Sequence, residues 1–216
     1  MSEPWRGRLI VLRHGQSEWN AAGVFTGWAN AHLTAHGEDE AVRAGTLLAE
    51  HGMLPAFVHT SLQRRTIRTA DLALAAADRD WIPVRRSWRL NGRHYGALQG
   101  RHKAEVLGEY GEQQFVAWRR SYDVSPPPLS TAAGYSQFRD PRYAALPPEA
   151  WPHVESLADV SARPDDQIAE VDILTGVPLV YELGPDLRPD ALGGQYLDPH
   201  AARDAIETIR NQGQAA

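Results

Sequence analysis

The chain contains no cysteine, which excludes disulfides and thiolate metal sites and fits a reducing compartment. It has no apolar run longer than a few residues, so neither a membrane-spanning helix nor the apolar core of a secretory signal is expected, and the cytoplasm is the expected location. An excess of basic charge is missing too: 22 lysines and arginines stand against 27 aspartates and glutamates, a net charge of −5. That balance argues against general binding to nucleic acid or to a membrane surface. Any anion site must then be a local cluster of arginines. Internal repeats are also absent. What remains is 216 residues, 43% hydrophobic and 23% charged, enough for one α/β domain with a sizeable core, and a single domain over 1–216 is expected.

The most informative stretch is Leu9-Ile10-Val11-Leu12-Arg13-His14-Gly15-Gln16-Ser17-Glu18-Trp19-Asn20. Four apolar residues bounded by polar ones suit a buried parallel strand, and Gly15 lets the backbone turn sharply where that strand ends. The strand would deliver His14 to the mouth of an open α/β sheet, where ligands bind. Arg13 beside His14, with Ser17 and Asn20 as further donors, suits an anionic guest such as phosphate, and a neutral imidazole there can act as a nucleophile.

Further along, Ala21 to His32 is a loop in which Thr26-Gly27-Trp28 can bring backbone donors near the site. Thr34 is the expected N-cap of a helix running to about Glu50, with Ala41, Ala44 and Leu48 on one face and His51-Gly52 as its stop. Ala56 to His59 reads as a second buried strand, and Thr60-Ser61 as the cap of a helix carrying Arg64, Arg65 and Arg68 in its early turns. Arg65 is the favoured phosphate clamp, because the preceding strand would bring that helix end to the same sheet mouth as His14. Trp81 to Val84 is an edge-type strand, since Pro83 cannot donate to a central ladder. A helix is expected from about Lys103 to Tyr122, with Trp118, Arg119 and Arg120 near its end. Asp123 to Pro152 holds seven prolines and no periodicity, so 123–153 is expected to be a lid or insertion loop. Short helical pieces are expected around Leu157–Arg163 and Asp165–Val171, a strand over Leu179–Leu183, and a last helix starting at Asp198-Pro199 with Ala202, Ala205, Ile206 and Ile209 facing inward.

Arg13-His14-Gly15-Gln16-Ser17-Glu18-Trp19-Asn20 resembles the signature of the histidine phosphatase superfamily, and within it the cofactor-dependent phosphoglycerate mutases. The likeness continues in order through Phe25-Thr26-Gly27-Trp28, Thr60 to Arg65, Arg93 to Gly100, Trp118-Arg119-Arg120, Asp140 to Tyr143, Glu155-Ser156-Leu157 and Thr175 to Glu182. The resemblance implies a three-layer α/β sandwich, a mostly parallel sheet flanked by helices. It implies a metal-independent site in which His14 is phosphorylated between Arg13 and Arg65. Ser17, Asn20, Thr26 and Gly27 match positions that contact substrate or phosphate, and Arg93, Tyr95, Lys103, Arg119 and Arg120 match those holding the substrate's carboxylate and phosphate. The implied partner is a small phosphorylated carboxylic acid, with 2,3-bisphosphoglycerate as a transient phosphoryl primer rather than a resident cofactor.

Two pieces depart from that pattern. Gly92 stands where the family carries a glutamate that serves as general acid and base; glycine has no proton to give, and His94 and His102 are the nearby candidates to replace it. The family's second active-site histidine follows an apolar strand between the Glu-Ser-Leu and Thr-Gly-Val-Pro segments. Here Glu155 to Arg163 runs directly into Pro164 to Val171, and neither strand nor histidine is found. A central strand beside Leu9–Leu12 is therefore expected to be missing. Because a packed core cannot leave that slot empty, the remaining elements close up or a partner chain fills it, and a homo-oligomer is expected. Three readings stay open: a divergent homologue whose mutase cycle is crippled or redirected to another biosynthetic reaction, a non-catalytic protein that binds a phosphometabolite or a partner, and a working mutase with compensating residues.

Overall fold

The computed structural model describes residues 7–130, 140–146, 151–163, 174–191 and 193–204. Strand β1 (Gly7–Val11) is the one that leads to His14. It pairs antiparallel with β4 (Leu179–Leu183), Leu9 opposite Tyr181 and Val11 opposite Leu179, and β4 pairs antiparallel with β5 (Gln195–Tyr196). The other sheet holds only β2 (Val58–Thr60) and β3 (Val84–Arg86), which run parallel. The expected α/β architecture with flanking helices is present; among the described residues its pairing is mixed in two small sheets, β2–β3 parallel and the sheet that leads to His14 antiparallel. Apolar runs dictate a strand but not its neighbour's direction, which is fixed by residues some 170 positions away.

β1 is also less buried than its composition suggests. Leu9 is 48% exposed, and β1 lies at the end of its sheet, with only β4 hydrogen-bonded to it among the described residues. Ile10 packs instead beside a cluster of Leu48, Val180 and Leu197. The second strand begins later than expected, at Val58, leaving Phe57 39% exposed, and β3 begins at Val84, past an exposed Trp81.

The helices follow the sequence more closely. In α2 (Ala35–Glu50), the Thr34 hydroxyl accepts from Gly37 N at 3.0 Å, and Ala41, Ala44 and Leu48 are buried. α2 packs on α3 (Arg64–Ala76), whose N-cap is Gln63 rather than Thr60-Ser61. α4 (Lys103–Arg120) is broken at Gly111, with φ 76°, and buries Val106, Phe115 and Trp118 with Phe25 and Leu98 in the largest apolar cluster among the described residues. In the expected lid, Pro141–Tyr143 forms a 3₁₀ turn whose Tyr143 is buried and stacks on Trp28. α5 (Leu157–Ser161) is closed by a capping box between Ser156 and Asp159. The expected helix at Asp165–Val171 lies outside the described residues. So do Ala205, Ile206 and Ile209, whereas Asp198 caps a helical turn over 199–204 in which Ala202 is buried. Among the described residues no helix is long and apolar enough to cross a membrane.

Candidate active site

β1 ends in a tight passage. An added Cβ on Gly15 would lie 2.0 Å from Gly37 O, so only glycine lets this turn cross the start of α2. Gly15 N donates to the Thr69 hydroxyl at 3.1 Å, and that hydroxyl donates to Arg65 O at 2.7 Å, which ties the histidine turn to α3. Arg13 leaves this turn exposed, its backbone bridged to Thr175.

The His14 ring is held at both nitrogens. Nδ1 lies 2.7 Å from Gly15 O, an acceptor only, so Nδ1 carries the proton; Arg65 Nε donates to Nε2 at 3.0 Å. The tautomer therefore follows from the contacts, with the Nε2 lone pair facing Arg65. Burial, then the Arg65 charge, lowers the His14 pKa to about 3; the Gly15 bond opposes this, and Arg13 adds a smaller lowering. His14 is consequently neutral throughout the physiological range, the form in which an imidazole can act as a nucleophile.

Arg65 itself is buried, with donors directed at neutral acceptors: Nη1 to Ala29 O at 3.0 Å, Nη2 to Gly27 O at 3.0 Å and to Gln63 Oε1 at 2.7 Å. Desolvation lowers its pKa to about 10, still far above neutral, so its charge is kept without a carboxylate partner among the described residues. Gly27 adopts φ 52°, which turns its carbonyl toward both Arg65 and Gln63 Nε2.

A second group of cations lies within Coulombic range through Arg13. Lys103 has its pKa lowered by desolvation, then by Arg119 and Arg13; Arg119 is lowered by desolvation, with Arg120 and Arg93 contributing. Arg93 stacks 4.5 Å over Tyr95 and donates Nη2 to Trp118 O, which anchors it at the carbonyl end of α4. Its Nε and Nη1 are buried without partners, as are Thr26 Oγ1 and Gln99 Nε2. Unpaired buried donors cost about 1–3 kcal/mol each.

Other expected residues serve the scaffold. Ser17 and Asn20 satisfy each other in the capping box of α1 (Glu18–Ala21). His94 is fully buried, its backbone N–H bonded to Glu155 and its Nδ1 accepting from Gly96 N, while His102 is an exposed N-cap of α4. Neither is among the groups acting on His14. The sequence reading did not single out Gln63 or Arg163. Arg163 forms a buried bidentate pair with Glu155 and donates to Asn91 O and Gly92 O, holding the segment before Arg93. The polar Gln63, two residues before Arg65, was the available signal for one; nothing local marks the other.

With His14 set against the buried Arg65 on an α/β scaffold, the profile of the histidine phosphatase superfamily (branch 1) matches residues 9–173, and the chain belongs to that family. A 2,3-bisphosphoglycerate-dependent phosphoglycerate mutase of Streptomyces griseus is 52% identical over 245 aligned positions, taking in 96% of this chain and 97% of the relative. One from Thermobifida fusca is 49% identical, over 95% and 99%. Among solved structures, one described as mycobacterial hydrolase 1 matches with TM-score 0.50 and 28% identity over 56% of each chain.

Proposed function

We propose that this protein binds a small phosphorylated carboxylic acid and accepts its phosphoryl group on His14, as a phosphoglycerate mutase-like enzyme whose full mutase cycle is slow. The observation that carries the reading is the His14–Arg65 contact, an unprotonated Nε2 facing a buried, fully charged guanidinium at 3.0 Å. A phosphoryl group in transfer spreads negative charge over its equatorial oxygens, and fixed donors stabilise that charge. The names of the relatives support 2,3-bisphosphoglycerate as a transient primer. The residues present suit it: Arg65 and Arg13 would hold the phosphate at His14, and Arg93, Lys103, Arg119 and Arg120 the remaining anionic groups. When bound, it supplies a phosphoryl group; this chain supplies the acceptor nitrogen and the charge.

The slow cycle is inferred from what the site lacks. Gly92 offers no acid, and no second histidine acts on His14 among the described residues. The alignment with the Streptomyces enzyme supports a lost segment, since 245 positions meet only about 207 residues of this chain (96% of 216) and roughly forty have no counterpart here. Two separate small sheets among the described residues are in keeping with the loss of a central strand. Turnover of 3-phosphoglycerate in an enolase-coupled assay is expected to lie at least about 10³-fold below that of the Streptomyces enzyme, because an acid–base group and a charge-stabilising group are both absent. Comparable turnover overturns the slow cycle. Intact mass after incubation with 2,3-bisphosphoglycerate is expected to show one added phosphate that His14→Ala removes; a phosphate retained by that variant overturns the assignment of His14.

A further inference from the structure

Transfer of a phosphoryl group to His14 requires something of the departing oxygen as well as of the nitrogen. An alkoxide is a strong base and leaves readily only when an acid protonates it, whereas a carboxylate (conjugate acid pKa ~4) or an activated phenolate leaves as a stable anion. The space beside Arg65 decides which case applies. A Cβ on Gly92 would stand 3.7 Å from Arg65 Nη2 and 3.9 Å from Gln63 Oε1, ordinary contact distances, so position 92 opens directly onto the guanidinium. Its backbone is fixed there: Trp28 Nε1 donates to Gly92 O at 2.8 Å, Arg163 Nη2 to the same oxygen at 3.3 Å, and Gly92 N donates to Gln63 Oε1 at 3.4 Å.

The group that meets Arg65 in this space is the Gln63 carboxamide, wholly buried, accepting from Nη2 at 2.7 Å while its Nε2 donates to Gly27 O. A carboxamide holds the guanidinium as a carboxylate would, but it has no transferable proton. The remaining described groups facing Arg65 and His14 do not replace it. Arg13 and Arg142 are cations, and the Tyr143 hydroxyl is buried, accepts from Asn91 Nδ2 at 2.9 Å and is held above its ordinary pKa by desolvation.

We propose that the absence of an acid at Gly92, where Arg65 meets only the Gln63 carboxamide, makes this a site for phosphoryl donors with weakly basic leaving groups, acyl and aryl phosphates, which label His14 far faster than alkyl phosphate esters do. The inference rests on the reading of His14 as phosphoryl acceptor. In the step, Arg65 Nε–H passes its hydrogen bond from Nε2 to a phosphoryl oxygen, and the freed Nε2 lone pair forms a bond to phosphorus as the bond from phosphorus to the leaving oxygen breaks. The electron pair of that bond departs with the carboxylate or phenolate. The ring keeps its Nδ1 proton against Gly15 O, and its new positive charge is offset by the phosphoryl oxygens. No external proton enters.

The test is the initial rate of His14 phosphorylation, read by intact mass on the full chain, with acetyl phosphate, 4-nitrophenyl phosphate and 3-phosphoglycerate. The first two are expected to label at least about 100-fold faster than the third, the size of a missing general acid. Gly92→Glu is expected to narrow that ratio at least about tenfold by speeding the alkyl donor, and Gly92→Asp serves in its place if the glutamate variant does not fold. Three donors within about tenfold of one another in the wild type, or a ratio unmoved by a folded position-92 acid, overturn this proposal and leave His14 as the acceptor. Labelling by none of the three, or labelling that survives His14→Ala, overturns the reading of His14 itself.

Discussion

The two halves of the cation cradle differ in how their donors are used. Around His14 the polar groups have partners: Nδ1 donates to Gly15 O, Nε2 accepts from Arg65 Nε, and Arg65 donates to Ala29 O, Gly27 O and Gln63 Oε1. On the other side, Arg93 keeps two buried nitrogens unpaired, and Thr26 and Gln99 one polar atom each. The first half is preorganised without a guest, so its geometry is part of the fold. On the proposed reading an anion would complete the second, and the cost of its unpaired atoms in the free protein would become affinity. Substitutions should therefore separate the two: in the first half they harm stability and binding together, in the second binding alone.

The largest effect is expected at Arg65. Arg65→Ala removes the charge beside His14, leaves the Ala29 carbonyl without its Arg65 donor and takes one of two donors from Gly27 O and Gln63 Oε1, so stability should fall by about 2–4 kcal/mol and phosphate affinity by about 10²-fold or more. Denaturant melts and calorimetry with inorganic phosphate read the two effects. A stable variant with intact affinity would break the comparison on its first side.

Next comes the pH dependence of stability. With His14 near 3 folded and 6.5 unfolded, the unfolded chain binds the extra proton between those values. Stability should thus be unaffected by His14 above about pH 6.5 and fall as pH drops toward 3, a loss of roughly 3 kcal/mol by pH 4. The wild type minus His14→Gln difference in melting, followed from pH 8 to 4, isolates this contribution. A flat difference would mean that His14 is not held neutral. Arg93→Ala should follow in size, lowering affinity for 3-phosphoglycerate about 10–100-fold while changing stability by only about 1 kcal/mol, the worth of its bond to Trp118 O.

What could be read in advance divides along the same line. His14 and its turn were legible because strand, arginine, histidine and glycine are adjacent, and Arg65 because a helix start follows a strand. The Thr34 cap and the buried face of α2 were legible for the same reason of local spacing. The direction of β1's partner was not, since antiparallel pairing to Leu179–Leu183 depends on the whole intervening chain. The role of Gln63 was hidden similarly: it meets Gly27 and Gly92 only in the folded chain, 36 and 29 residues away. The unpaired atoms of Arg93 and Thr26 are likewise a property of packing.

The smallest effect, and the sharpest test of the second half, is expected at Thr26. Thr26 is 9% exposed, and Oγ1 has no partner in the free protein. Thr26→Val keeps the shape while replacing that hydroxyl by a methyl. Removing an unsatisfied buried polar atom relieves its desolvation, so the free variant should be as stable as the wild type or slightly more so, by up to about 1 kcal/mol. A hydroxyl that donates to a bound anion is worth about 0.5–1.5 kcal/mol, and affinity for 3-phosphoglycerate should fall roughly 2- to 10-fold. The two changes have opposite signs, which a general packing defect cannot produce. Matched thermal melts with and without ligand read both at once: a variant less stable alone and equally stabilised by ligand would show that Thr26 belongs to the scaffold and not to the binding half.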